Sequence, residues 1–225
     1  MSGRSLRRKV KARNGISCKV KPRLRGRALL KAKVNAIILA GGKNSRMGGE
    51  DKAFLEIEGR PIIERLIGTL RPLVKEIIVV TNSPKKYSAY SVRIVEDEIP
   101  GQGPLMGIYS GLKGSSARYN FVVACDMPFL SEALIEYMIK IKDAYDVVVP
   151  EIEEKYHPLF GLYSKNCLPV IRKRLKENRL NVRGIFPELK CRFISKEDAR
   201  IFDRDLSSLM NVNTKEELSR IKPRL

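Results

Sequence analysis

The segment LAGGKNSRMGGEDK at residues 39–52 combines closely spaced glycines with positively charged side chains. Glycine lets a backbone approach a phosphate closely and direct several N–H groups at it. Arg46 can grip a phosphate through two parallel hydrogen bonds, and Lys52 adds another positive charge. The segment lacks the GK[ST] ending of a P-loop, and its glycines are not spaced as GxGxxG. It therefore predicts a phosphate-binding loop of another kind. The competing interpretation is a glycine turn with solvated charges.

Three further polar residues follow apolar runs that we interpret as strands, namely Asn82, Asp97 and Asp126. A carboxylate at the end of a strand can hold Mg²⁺, which uses one or two carboxylates together with phosphate oxygens. Amide side chains such as that of Asn82 suit the recognition of base edges. Asp and Asn are also frequent turn residues, so each position alone is ambiguous.

Alternating strands and helices must position these residues. The predicted strands are Val34–Ala40, Glu76–Thr81, Val92–Val95, Tyr119–Cys125, Asp146–Pro150 and Cys191–Ile194, with an extended segment at Tyr156–Tyr163. The predicted helices are Pro61–Leu73, Pro104–Leu112, Ser131–Ile141, Lys165–Glu177 and Thr214–Ile221. This alternation predicts an α/β fold with three αβα layers and a mostly parallel, mixed sheet. In such folds ligands bind beyond the carboxyl ends of the strands.

The charge of the chain is concentrated at its start. The net charge is +19 over 225 residues, and residues 1–33 contain 13 Lys or Arg and no Asp or Glu. A run of this kind cannot bury enough apolar surface to offset its ordering entropy, which predicts a disordered extension. A nucleic-acid-binding tail is one alternative. Another is an annotation artefact, since a valine codon at Val34 can serve as a start. We expect residues 34–225 to form the folded domain.

The cysteines and the hydropathy indicate a cytoplasmic protein. Cys18, Cys125, Cys167 and Cys191 form no CxxC pair, which argues against a zinc knuckle or a redox motif. Their scatter suits a reducing compartment. No apolar run reaches the length of a membrane span, and residues 1–33 lack the apolar stretch of a secretory signal. We therefore expect no membrane partner.

Five motifs together resemble the molybdenum cofactor guanylyltransferases. In chain order they are LAGGKNSRMGGEDK at 39–52, EDEIPGQGPLMGI at 96–108, ACDMPFL at 124–130, HPLFGLY at 157–163 and NVNTKEEL at 211–218. The resemblance implies a Rossmann-like nucleotidyltransferase domain over residues 34–225. It also implies transfer of GMP from GTP to the terminal phosphate of the molybdenum-pterin cofactor, with Mg²⁺ as cofactor and pyrophosphate as product. Proteins that deliver or receive the pterin cofactor are further candidate partners.

The resemblance also assigns residues to roles. It implies nucleotide binding by Leu39, Ala40, Gly41, Gly42, Lys52, Asn82, Asp97 and Asp126. It implies catalysis by Arg46, Lys52 and Asp126, with Asp126 as the metal ligand, and acceptor binding by His157, Pro158, Asn211 and Asn213. The alternatives are a structural His157 packed beside Pro158, and asparagines that cap the last helix. A phosphate nucleophile is already ionised at neutral pH, so His157 is not needed as a base.

Two other functions remain open at this point. Archaeal guanylyltransferases that act on cobinamide phosphate carry a similar AGGKxTRMGG loop, although the DK ending, CDMPF and HPLFG favour the molybdenum cofactor. A nucleic-acid-binding protein anchored by residues 1–33 belongs to a different class. This hypothesis predicts an affinity for nucleic acid that falls steeply as the salt concentration rises. It does not explain the glycine loop or the aspartates. We therefore do not expect nucleic acid as a partner.

Overall fold

A computed structural model describes residues 34–41 and 51–212 of the chain. Within these ranges the strands are β1 (Val34–Leu39), β2 (Glu56–Ile57), β3 (Arg60–Pro61), β4 (Ile77–Val80), β5 (Arg93–Val95), β6 (Tyr119–Ala124), β7 (Val147–Ile152), β8 (Lys155–Tyr156), β9 (Phe160–Ser164) and β10 (Cys191–Ile194). The α-helices are α1 (Ile62–Leu70), α2 (Gly103–Gly114), α3 (Glu132–Ile141), α4 (Cys167–Lys176) and α5 (Lys196–Phe202). Short 3₁₀ helices at Lys52–Phe54 and Pro84–Tyr87 bear on the site described below.

The main sheet has the strand order β10-β7-β9-β6-β1-β4-β5, with β8 paired to β7. Strand β1 pairs in parallel with both β4 and β6, and β4 pairs in parallel with β5. Strand β9 runs antiparallel to both of its neighbours, β6 and β7. The carboxyl ends of β1, β4, β5 and β6 therefore lie at one edge of the sheet.

Helices cover both faces of this sheet. Alternate residues of β1 point to opposite faces, since Ala36 and Ile38 belong to one buried cluster and Ile37 and Leu39 to another. The first cluster includes apolar residues of α1 and α3, and the second includes those of α2 and α4. Each side of the sheet thus has its own apolar core, and the predicted three-layer αβα architecture is confirmed.

Helix α2 packs very closely on the middle of the sheet. A Cβ atom at Gly111 would lie 2.6 Å from Ile37 Cγ2, so no larger residue fits without a shift of the helix or the strand. This close approach places the first turn of α2 beside the carboxyl ends of β1 and β4.

The structure corrects several predicted boundaries. The helix predicted over Pro61–Leu73 ends at Leu70, and the chain continues in turns. The extended segment predicted at Tyr156–Tyr163 is two strands, β8 and β9, separated by a turn. Helix α5 and the small β2–β3 hairpin were not predicted. The predicted terminal helix Thr214–Ile221 and the predicted extension 1–33 lie outside the described residues.

No helix in the described ranges is both long enough and apolar enough to cross a membrane.

Candidate active site

A cleft with a volume of about 860 Å³ opens at the carboxyl edge of the parallel strands. Seven residues predicted for the site line it, namely Leu39, Ala40, Gly41, Lys52, Asn82, Asp97 and Asp126. The turn before α2 and Gly107 within that helix form another wall. The topology thus brings together residues that lie up to 87 positions apart, because β4, β5 and β6 all end beside β1.

Backbone hydrogen bonds fix the position of Asp126 after β6. The amide of Cys125 donates to the Leu39 carbonyl at 3.0 Å, and the amide of Val212 donates to the Asp126 carbonyl at 2.7 Å. The Lys52 ammonium lies 3.9 Å from Asp126 Oδ2, and the two side chains are 28% and 19% exposed. Burial raises the pKa of Asp126 above its usual value, and the positive charge of Lys52 opposes that rise. The carboxylate is therefore held in a partly desolvated position beside a cation.

Asp126 fits the role of a magnesium ligand. Its Oδ1 atom is buried and accepts no hydrogen bond from any described residue, so this oxygen has unused coordination capacity. No group of three or more His, Cys, Asp or Glu side chains suited to a metal occurs among the described residues. A Mg²⁺ ion can rely on one or two protein carboxylates and complete its shell with substrate phosphates and water, so one carboxylate suffices for this role.

Asp97 and Asn82 hold each other through two hydrogen bonds. The Asn82 amide nitrogen donates to Asp97 Oδ2 at 3.1 Å, and the Asp97 backbone amide donates to Asn82 Oδ1 at 3.3 Å. Burial raises the pKa of Asp97, while the bond from Asn82 lowers it. Asp97 Oδ1 is buried without a hydrogen-bond partner among the described residues. The pair therefore presents an unsatisfied acceptor in the wall of the cleft, at the ends of β4 and β5.

Gly107 brings α2 up to this pair. A Cβ atom there would lie 3.1 Å from Leu39 Cδ2 and 3.8 Å from Asp97 Oδ1. A side chain at this position would crowd the end of β1 and narrow the cleft. The close approach of α2 to the strand end therefore favours glycine at position 107.

Sequence analysis missed one residue pair at the site, Asp51 and Tyr87. Asp51 lines the cleft next to Lys52, and its Oδ2 atom accepts a hydrogen bond from the Tyr87 hydroxyl at 3.1 Å. In the DK ending of the glycine loop, the sequence analysis assigned a role to Lys52 but none to Asp51. The available signal was that Asp favours N-cap positions, and Asp51 does cap the 3₁₀ helix Lys52–Phe54.

The residues predicted for the acceptor lie at or beyond the margin of the cleft. His157 and Pro158 do not line it, but Leu159 does, and the Leu159 carbonyl accepts a hydrogen bond from Ala124 N at 3.0 Å. The Pro158 carbonyl accepts a hydrogen bond from the Tyr163 hydroxyl at 2.6 Å. Burial, and then the nearby charge of Lys155, lower the pKa of His157, which disfavours a charged imidazole.

Asn211 is exposed and does not line the cleft, although the next residue, Val212, is bonded to the Asp126 carbonyl. Gly42, Arg46 and Asn213 lie outside the described residues. The late motifs are thus connected to β6 through backbone contacts, whereas contact between their side chains and a substrate remains a prediction.

The fold and the strand-end cleft define this chain as a nucleotidyltransferase. A family model described as the MobA-like NTP transferase domain matches residues 36–191. The chain belongs to that family, which confirms the resemblance seen in the sequence motifs.

Named relatives and solved structures extend the match over most of the chain. The molybdenum cofactor guanylyltransferase of Desulfosudis oleivorans is 40% identical over 188 residues, covering 83% of this chain and 93% of that protein. The probable molybdenum cofactor guanylyltransferase of Clostridium perfringens is 35% identical, with 82% and 94% covered. The crystal structure of molybdopterin-guanine dinucleotide biosynthesis protein A from Archaeoglobus fulgidus has a TM-score of 0.73 at 23% identity, covering 83% and 95%. A protein of Aquifex aeolicus has a TM-score of 0.67 at 28% identity, covering 84% and 97%.

Proposed function

We propose that this protein transfers GMP from GTP to the terminal phosphate of the molybdenum-pterin cofactor, giving the guanine dinucleotide form and pyrophosphate. The observation that carries the proposal is the 40% identity to a molybdenum cofactor guanylyltransferase over 93% of that protein's length. The cleft supports it because a glycine-containing strand end, a lysine and three carboxylates meet where a nucleoside triphosphate can bind.

The nucleotide half of the proposed site is built on the parallel strand ends. Leu39, Ala40 and Gly41 offer backbone groups at the end of β1, and Lys52 supplies charge for the phosphates. Asn82 and Asp97 have the hydrogen-bonding groups needed to hold the nucleoside. Gly42 and Arg46 complete the proposed phosphate contacts by their place in the glycine-rich segment.

The proposed chemistry is in-line attack by the acceptor phosphate on the α-phosphorus of GTP. The attacking phosphate is already ionised, so positioning and charge neutralisation supply most of the catalysis. Lys52 and Arg46 would stabilise the departing pyrophosphate. Asp126 would hold Mg²⁺, which supplies charge neutralisation at the phosphates when it is bound.

The acceptor half of the proposed site comprises His157, Pro158, Asn211 and Asn213. Its support is connectivity, because the 157–159 turn is bonded to β6 and Val212 to the Asp126 carbonyl. The lowered pKa of His157 suits a neutral hydrogen-bonding imidazole. We also propose a cytoplasmic location, supported by the free thiols of Cys125, Cys167 and Cys191. Proteins that deliver the pterin cofactor or receive the product are proposed partners.

The direct test offers the protein each of the four nucleoside triphosphates with Mg²⁺, together with either the molybdenum-pterin cofactor or cobinamide phosphate. Pyrophosphate release is measured in every combination, and the coupled product is identified by mass. We expect release only with GTP and the molybdenum-pterin cofactor. Faster pyrophosphate release with cobinamide phosphate would show that the proposed acceptor is wrong. A preference for CTP would show that the proposed nucleotide is wrong. The two relatives described above are both named for the molybdenum cofactor, which favours that acceptor.

A further inference from the structure

A fully buried tyrosine lies behind the cleft and reaches the residue before Lys52. Tyr87 has no exposed surface and sits in the 3₁₀ helix Pro84–Tyr87 after β4. Its hydroxyl donates to Asp51 Oδ2, and its ring packs on Phe54 with ring centroids 5.1 Å apart. Both contacts fall on the segment 51–54, so Tyr87 supports the turn that carries Lys52 without lining the cleft itself.

Asp51 uses both of its carboxylate oxygens to define that turn. Oδ1 accepts a hydrogen bond from Ala53 N at 3.2 Å and caps the 3₁₀ helix, while Oδ2 accepts from Tyr87. The Lys86 ammonium adds a weaker contact at 4.0 Å from Oδ2. These side-chain contacts fix the position of Asp51, the residue directly before Lys52.

The same hydroxyl lies beside the end of β4. Thr81, which is 1% exposed, lies near enough to the Tyr87 hydroxyl to affect its pKa, and the Thr81 hydroxyl accepts a hydrogen bond from Ser83 N at 3.1 Å. Asn82 lies between these two residues and is bonded to Asp97. Tyr87 thus links the segment that carries the phosphate-binding lysine to the segment that carries the proposed nucleoside contacts.

The protonation state of Tyr87 suits a permanent donor. Burial, and then the adjacent negative charge of Asp51, raise the pKa of the phenol far above its usual value. The hydroxyl therefore keeps its proton at any working pH, and the Asp51 carboxylate remains the acceptor.

We propose that Tyr87 is a positioning residue for nucleotide binding, which acts through Asp51 to hold Lys52 against Asp126 and the strand ends. The inference rests on the proposed function for the identity of the nucleotide. Tyr87 contacts neither nucleotide nor metal in this proposal. Its effect on activity passes entirely through the position of Lys52.

The test compares Tyr87→Phe with a matched control, Tyr119→Phe. Tyr87→Phe keeps the ring packed on Phe54 and removes only the hydroxyl. Tyr119 is also buried, and its hydroxyl donates to the Asp143 carbonyl at 3.4 Å at the amino end of β6, away from the cleft. GTP affinity is measured by titration and turnover by pyrophosphate release. We expect Tyr87→Phe to lower kcat/KM for GTP and the GTP affinity about tenfold, the scale of a hydrogen bond to a charged group. The acceptor KM of Tyr87→Phe should stay within about twofold of the wild-type value. The GTP affinity and kcat/KM of Tyr119→Phe should also stay within about twofold of wild type.

A double-mutant cycle separates positioning from a general structural role. If Tyr87 acts through Lys52, it has nothing to position once the lysine is gone. Tyr87→Phe should then cost less than about twofold in GTP affinity when made in the Lys52→Ala protein. Additive losses in the double mutant, or an equal rise in the acceptor KM, would overturn the proposal.

Asp51→Ala tests the same link if Tyr87→Phe folds poorly. It removes both carboxylate oxygens, and with them the bonds to Ala53 N and to the Tyr87 hydroxyl, so we expect a similar loss of GTP affinity. Unchanged affinity in a folded Asp51→Ala protein would also overturn the proposal. The binding cycle requires no acceptor. If the wild type binds GTP but transfers GMP to no pterin acceptor, the proposed function fails while the cycle still decides the role of Tyr87. A wild type that binds no nucleotide overturns both.

Discussion

The Asp126→Asn variant should separate catalysis from stability at the centre of the cleft. Burial raises the pKa of Asp126 despite the nearby Lys52, so desolvation outweighs the ion pair. A carboxyl group whose pKa is higher in the folded state stabilises the fold at low pH. That contribution is lost as the pH rises through the folded-state pKa. At neutral pH the ionised Asp126 therefore costs stability, and an amide of the same shape avoids this cost.

The structure sets the scale of the expected loss of activity. Two unit charges about 4 Å apart interact by about 4 kcal/mol at an effective dielectric constant near 20. The Lys52 ammonium and the Asp126 carboxylate are separated by 3.9 Å, so their attraction is of this order before the larger opposing effect of burial is counted. Removing one preorganised electrostatic group from an active site typically costs about 100-fold or more in turnover. We expect a loss of at least that order for Asp126→Asn.

Three measurements on purified wild type and Asp126→Asn test this reasoning. Mg²⁺-dependent pyrophosphate release should fall, while the melting temperature at pH 7 should equal or exceed that of wild type. GTP affinity in a chelator should be unchanged or higher, because a negative charge has been removed from a site for a polyanion. Near-normal turnover would refute the metal-ligand role. A melting temperature lowered by several degrees would refute the electrostatic argument and indicate a structural role.

Three further predictions concern other parts of the molecule. Lys52→Ala should weaken GTP binding and slow turnover, whereas His157→Ala or Asn213→Ala should raise the acceptor KM. Equal loss of GTP affinity in all three would refute the two-part site. A chain beginning at residue 34 should keep its melting temperature and turnover, and clear loss of either would show that residues 1–33 contribute. Gly111→Ala should lower the free energy of unfolding in urea by about 1–3 kcal/mol through overpacking against Ile37. An unchanged unfolding midpoint would show that α2 can move away from the sheet.

The strands that build the cleft could be predicted because their sequences are short, apolar runs that end in polar residues or glycine. Strands β1, β4 and β6 are buried along their whole length, and this produces nearly continuous apolar runs rather than alternation. Strand β9 is also buried along its whole length, but its direction depends on pairing with β6 and β7, which local sequence does not encode. Helix α5 was missed because KEDARIF is mostly polar and buries only Ala199.

Some residues of the candidate site could likewise be predicted from the local sequence, whereas others depend on contacts between distant parts of the chain. The glycine-rich segment, Asp97 and Asp126 stand next to strand ends, so their arrival at one edge follows from the topology. The bond between Tyr87 and Asp51 joins residues 36 positions apart. It is made by a phenol that forms part of the apolar core, and a buried tyrosine in sequence looks like any other core residue. Only the packing of the 3₁₀ helix Pro84–Tyr87 against Phe54 reveals it.

The buried, unpaired oxygens of Asp97 and Asp126 connect stability to function at this edge of the sheet. Buried acceptors without partners are costly in a folded protein, and burial raises the pKa of both carboxyl groups. The same fold satisfies the backbone around them, through Asn82 for Asp97 and Val212 for Asp126. The two unpaired oxygens belong to residues that line the cleft. If the proposed nucleotide and metal ion use these oxygens, their binding recovers part of this cost.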